Sequence, residues 1–186
     1  MTRAPNWLNC VAGVLTPVRR QIKAPETLLA VSQREMPLLQ SQRHSAPDFA
    51  AAQELLHSRG WTDGLPVVPP TPELVHQCLE WVLMPPEHLV GIEPVRGRAL
   101  TAEKLAVNAV MAGCLPMHFP VVVSAITAML AEPFLLHGAT ASTGGAAILI
   151  VVNGSIREEL GMNSSFNALG SGGRAAAPIG RAVRLI

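Results

Sequence analysis

Ala146-Ala147-Ile148-Leu149-Ile150-Val151-Val152 is an unbroken apolar run, rich in β-branched side chains and free of polar alternation. Branching at Cβ favours extended backbone, and a strand that is apolar on both faces reads as one covered from both sides. The run predicts a central strand near 146–152, and the periodic segments around it predict the helices that cover it. The fold class that follows is α/β, or α+β, with a small, mostly buried sheet packed by several helices.

Working upstream, Ser45-Ala46-Pro47-Asp48 is a cap, a proline and an acid ahead of the apolar positions Phe49, Ala50, Leu55 and Leu56, with Gly60 as the stop. Thr71-Pro72-Glu73 repeats the pattern and opens a helix through Leu74, Cys78, Leu79 and Val82, ended by Pro85-Pro86. Thr101 caps a helix carrying Leu105, Val107, Val110 and Met111 up to Gly113, and Pro116 opens another that runs to about residue 131. Residues 65–70 are held extended by their prolines and belong near an edge, and residues 89–93 form a short strand. Downstream, Asn153-Gly154 is a turn before a helical turn at 156–160, and Ile179, Ala182, Val183 and Ile186 share one face of a last helix.

A length of 186 residues suits one domain with a real core. Residues 1–44 show no sustained period and carry Pro5, Pro17, Pro25 and Pro37, which predicts a poorly ordered leader before a single domain over 45–186. A last helix that stops on Leu185-Ile186 reads as cut short, so the domain is expected to be incomplete at its C-terminal end.

Composition narrows the partners. A net charge of +1, with 15% charged residues and scattered arginines, gives no basic stripe and argues against nucleic acid. The longest apolar run, residues 119–131, falls short of the roughly 20 residues a membrane span needs, so no membrane is expected. Residues 7–18 are interrupted by Asn9 and Pro17 and lack a cleavage signature, which places the chain in the cytoplasm. Cys10, Cys78 and Cys114 lie too far apart for a disulfide framework or a zinc site, and His44, His57, His76 and His88 share no ligand spacing. No metal is expected, and no motif specifies a cofactor.

Three stretches carry chemistry. In Asn108-Ala-Val-Met-Ala-Gly-Cys-Leu-Pro-Met-His-Phe-Pro120, Cys114 stands between a helix-ending Gly113 and a helix-starting Pro116, where backbone N–H groups and the helix dipole favour a thiolate. His118 follows one turn later as base or imidazolium partner. Two readings stay open: a reactive thiol, or a small buried cysteine where helices cross. Gly170-Ser171-Gly172-Gly173-Arg174 offers flexible N–H groups, a helix start and a guanidinium to a carboxylate or phosphate, or is simply a flexible turn. In Trp61-Thr-Asp-Gly-Leu-Pro-Val-Val-Pro-Pro-Thr71, Asp63 is a ligand, a base, or the Asx residue closing the turn. The loop from His137 to Gly145 adds the hydroxyls of Ser142 and Thr143 but no Gly-x-Ser-x-Gly elbow, so a hydrolase triad is unsupported.

These motifs, together with Glu103-Lys-Leu-Ala-Val-Asn-Ala-Val-Met-Ala-Gly-Cys-Leu-Pro116, Val151-Val-Asn-Gly154, Glu159-Leu-Gly161, Asn163, Asn167-Ala-Leu-Gly170 and Gly180-Arg-Ala182, resemble a bacterial family related to, or encoded beside, the UGSC-motif selenoprotein group. The likeness spans roughly residues 55 to 186 and implies an indirect link to thiol or seleno chemistry. Met117, Ala176 and Pro178 stand where the family pattern has polar residues, which removes polar groups from two candidate sites. The expected function is an intracellular enzyme, or enzyme component, acting on a small anionic molecule. Cys114 and His118 are its catalytic pair, and Asp63, Asn108, Asn153, Gly172, Gly173 and Arg174 bind substrate. The alternatives are an accessory subunit that pairs with a partner or a second copy through the apolar C-terminal helix, and an inactive fragment of a larger enzyme.

Overall fold

Caps written in the sequence set the helices. In the computed structural model, which describes residues 37–141, 143–144, 146–170 and 172–186, Asp48 caps α1 (Phe49–Ser58) by accepting from the Ala51 N–H at 2.8 Å. Thr71 caps α2 (Pro72–Val82), with Pro72 and Glu73 in its first turn, and Thr101 caps α3 (Ala102–Met111) in the same way. Each cap satisfies a backbone N–H that the helix itself leaves without a partner. At the far end of α3, Gly113 takes φ +87°. The N–H groups of Gly113 and Cys114 then donate to the Val110 and Ala109 carbonyls at 2.8 and 2.9 Å, a closure that needs the left-handed backbone glycine adopts without strain.

A 3₁₀ turn at Pro116–His118 leads into α4 (Phe119–Leu130), and a second at Glu132–Phe134 into α5 (Leu136–Thr140). α6 (Ile156–Glu159) and α7 (Ala176–Leu185) complete the helices among the described residues. α2, α4 and α7 all pack on α3. The inner stripe of α3 is Ala102, Leu105, Ala106 and Ala109, all fully buried. Its alanines let the neighbours come close, and Phe119, Val122 and Ile179 fill the space between them.

β1 (Leu89–Ile92) and β2 (Ala99–Thr101) pair antiparallel, Leu89 opposite Thr101 and Ile92 opposite Ala99, with an irregularity between Leu89 and Gly91. The hairpin leans on α4, and Gly91 lets Leu130 Cδ1 lie against its backbone, where a Cβ would make that side chain turn aside. The Glu93 carboxylate holds the connection by accepting from the Val95 and Arg96 N–H groups at 2.9 and 2.7 Å. The fold is thus mixed: seven α-helices and a small two-stranded antiparallel sheet among the described residues, of the α+β kind. This sheet is a half-exposed hairpin on the flank of the helices and not the mostly buried layer the sequence suggests.

The expected central strand is absent from it. Residues 146–152 are extended, yet none of their backbone groups bonds to another backbone group among the described residues. Burial alternates along the segment: Ile148, Ile150 and Val152 pack against the core, while Leu149 and Val151 are 69% and 52% exposed. The helices cover one face only, so a continuous apolar run here marks a one-sided, unpaired segment. Residues 65–70 are extended too, and a side chain supplies their pairing. The Val67 N–H donates to Gln53 Oε1 at 2.9 Å, Gln53 Nε2 donates back to the Val67 carbonyl, and the Val68 N–H donates to the Met111 carbonyl at 3.1 Å.

Two further expectations change. Of the leader expected over 1–44, residues 1–36 lie outside the described residues, as do Ser142, Gly145 and Ser171. Residues 39–41 are fastened to the body: Leu39 packs against the core, and the Gln40 and Ser41 N–H groups donate to Glu103. The apolar face of α7, Ile179, Ala182 and Val183, is buried in the chain's own core against α3 and α4. The partner surface expected on that helix is therefore used up by internal packing. No single helix among the described residues is long and apolar enough to cross a membrane.

Candidate functional site

Residues 39–48, α1 and α3 enclose an open cleft of about 1150 Å³. Its apolar lining includes Leu56, Val107, Met111 and Leu185, which also form a small core cluster with Val67. α1 owes its seat to that cluster, because Leu56 is the one position it buries. Three carboxylates and three permanent cations line the same cleft: Asp48, Asp63 and Glu103, with Arg43, Lys104 and Arg184.

The acids are all committed. Asp48 caps α1. Glu103, only 4% exposed, accepts from the Gln40 N–H at Oε2 (3.0 Å) and the Ser41 N–H at Oε1 (2.8 Å). Burial by itself would raise the Glu103 pKa, but the hydrogen bonds from Ser41 and Gln40 and the nearby His76 outweigh it and hold the carboxyl below its ordinary range. Asp63 accepts two hydrogen bonds from Arg181, which hold its pKa down at about 2. The bases are open. Lys104 Nζ donates only to the Ala99 carbonyl, at 3.3 Å, and Arg43 and Arg184 are exposed and make no ion pair among the described residues.

Aromatic rings stand at the same cleft. Trp61, 44% exposed, has its ring 5.3 Å from that of His44 at 59°, with the Arg59 guanidinium 5.8 Å from the Trp61 centroid. Phe49 is 63% exposed. Asn108 lines the wall, its Nδ2 donating back to the Lys104 carbonyl at 2.9 Å.

The cysteine site is of another kind. Cys114 is buried, and removal from water pushes its thiol up to about 12, with Cys78 adding to the rise and Arg174 opposing it. Leu115, and not Cys114, occupies the cap position of the 3₁₀ turn, so the sulfur does not sit at the helix start. His118 is buried as well; its Nδ1 accepts from the Leu115 N–H at 3.1 Å, and burial followed by Arg174 lowers its pKa. Both groups are therefore neutral at pH 7, the thiol protonated and the imidazole uncharged. Among the described residues, no buried side-chain nitrogen or oxygen lacks a hydrogen-bond partner.

Gly172, Gly173 and Arg174 line a second, smaller pocket of about 420 Å³ with Asn163 and Asn167. Arg174 Nη1 donates to the Gly113 carbonyl at 2.8 Å, which ties this loop to the end of α3. α7 begins after the loop and its cap position is Ala175, with no side-chain cap bond. The structure thus divides the residues singled out by sequence. Asp63 and Asn108 share the cleft; Gly172, Gly173 and Arg174 share the pocket; Cys114 and His118 are buried close to Arg174; Asn153 is exposed and lines neither. Glu103, Lys104, Trp61, Arg43 and Arg184 escape sequence reading because their relation lies in tertiary contact: Glu103 looks like any acid in a first turn until Gln40 and Ser41 reach it. No protein-family model matches this chain, and no curated protein or solved structure matches it either.

Proposed function

We propose that this chain binds a small anionic molecule in the cleft between α1 and α3. The observation that supports this reading is the asymmetry of charge satisfaction there. Asp48, Asp63 and Glu103 are each engaged by the protein's own donors, whereas among the described residues Arg43, Lys104 and Arg184 make no ion pair, Lys104 donating to the Ala99 carbonyl alone and Arg43 lying near enough to Glu73 to lower its pKa without bonding it. A cation beside an apolar wall attracts a carboxylate or phosphate more strongly than one in open water, because the wall lowers the local dielectric. The anion chemistry expected from the sequence is retained and is assigned to the cleft, not to the thiol. A Cys114 sulfur protonated at neutral pH is no nucleophile in this conformation.

Isothermal titration of the whole chain with simple carboxylates and inorganic phosphate at low ionic strength tests the reading. Saturable binding that weakens about tenfold in the Lys104→Ala/Arg184→Ala double variant is the expected result. Heat no larger than dilution across all the anions would reject it.

One observation favours a second reading, that of an accessory subunit. Among the described residues, 146–152 leave a row of backbone donors and acceptors without backbone partners, and an extended segment of another chain is the natural complement to such a row. Light scattering after size exclusion separates the two readings, since this one requires a stable assembly.

A further inference from the structure

We infer that the cleft takes an aromatic carboxylate, a flat apolar ring system bearing a single anionic group. The inference rests on the anion-binding reading above and narrows it to a ligand class.

The kind of anion follows from the donors. Bare phosphate and sulfate are held best by backbone N–H groups at a helix start. At the start of α3 those groups are all taken, the Ala102, Glu103 and Lys104 N–H groups donating to His88, Pro86 and Thr101, and at the starts of α1 and α2 the cap positions are already filled by Asp48 and Thr71, which accept from Ala51 and Leu74. Recognition is left to long side chains. Arg43, Lys104 and Arg184 line the cleft together with carboxylates that are bonded but still charged. A polyanion would meet Glu103 and Asp48 as well as the cations; a single carboxylate satisfies one or two cations without that repulsion.

The body of the ligand follows from the walls. Leu39, Phe49, Val107 and Leu185 line the cleft with apolar side chains that keep part of their surface open, more than a bare anion needs. Trp61 and Phe49 both line the cleft while 44% and 63% exposed, an exposure that helix packing does not require. Aromatic rings left in contact with water beside a concavity favour another ring, stacked or edge-on. Trp61 already holds His44 at a tilt and Arg59 near its centroid, an arrangement suited to a planar group.

The test is a titration panel on the full chain: 1-naphthoate, benzoate, acetate, inorganic phosphate and the neutral 1-naphthalenemethanol. The inference expects 1-naphthoate to bind about tenfold or more tightly than acetate, phosphate or the neutral alcohol. Trp61→Ala should lose about tenfold for 1-naphthoate and leave acetate unchanged, and Trp61→Phe should recover most of the loss. Amide shift changes on adding 1-naphthoate should fall on Lys104, Asn108 and residues 43–49. If acetate or phosphate equals 1-naphthoate, the ligand class is overturned while the anion site stands. If the neutral alcohol equals it, or nothing binds, both readings fall. Shift changes confined to residues 163–174 would overturn the location.

Discussion

Arg181 grips Asp63 with both arms of its guanidinium, Nε to Oδ2 at 3.0 Å and Nη2 to Oδ1 at 2.7 Å, and Nη2 also donates to the Leu65 carbonyl at 3.2 Å. The pair spans 118 positions of sequence and binds the turn after α1 to α7. Asp63 also accepts from the Leu65 N–H at 3.3 Å, the Asx contact of a tight turn. Its role is therefore that of an anchor for one wall of the cleft.

Breaking the anchor should be measurable. Asp63→Asn is expected to cost about 1–2 kcal/mol at pH 7, in line with a two-point arginine–carboxylate contact that water partly screens. The folded-state pKa lies at about 2, below the ordinary 3.8. The contribution is thus complete above pH 3.8 and is lost as the pH falls from there toward 2. Urea midpoints of the wild type and the variant should differ at pH 7 and converge near pH 2; parallel curves across that range would contradict the ion pair.

Glu103 fastens residues 40 and 41, and Glu103→Gln replaces one of its two acceptors with a donor. We expect a loss of about 1–3 kcal/mol, the usual worth of a part-buried hydrogen bond to a charged group. The carboxyl is held below 4.5, so the wild-type latch is intact above that pH and fails as the pH drops below it. Trypsin cleavage after Arg43 at neutral pH should accelerate in the variant, and in the wild type the Gln40 and Ser41 amide resonances should shift as the pH drops below 4.5. A cleavage rate that ignores the variant, with amides that ignore the acid, would show that the latch holds nothing.

Cys78 and Cys114 are both buried, with thiols pushed up to about 12. In a chain carrying Cys10→Ser, a thiol reagent at pH 8 should modify neither until the protein opens, and both once denaturant is added. Rapid modification of Cys114 in the folded protein would restore it as a reactive group.

Residues 146–152 should respond to charge with a period of two. Leu149→Lys is expected to change stability by less than about 0.5 kcal/mol, and Ile150→Lys to cost about 2 kcal/mol or more, because only the second forces an amine toward the core. The amides of this segment should also exchange early. Equal penalties at the two positions would contradict the alternation.

The helices were legible because their signals are local. Thr71-Pro72-Glu73, Thr101 and Gly113 each act within one turn of where they stand, and all three do what their sequence suggests. Residues 146–152 misled because an apolar run states that burial is wanted and not how many neighbours will supply it. The final helix misled for the same reason: its apolar face was visible, but the identity of the surface that covers it was not. Cys114 shows the limit for chemistry, since sequence placed it correctly beside the end of α3, yet only burial decides the state of its sulfur. The cleft lay beyond sequence reading altogether, being assembled from residues 39–48, α1, α3 and the end of α7.

Gln53 gives the molecule one guarded edge. By offering an amide that both donates to and accepts from Val67, it occupies the place where a foreign strand would dock on residues 65–70. Among the described residues, none plays that part for 146–152. As concentration rises, association should therefore begin at the unguarded segment, and a single lysine at Leu149 or Val151 should delay it without touching the cleft.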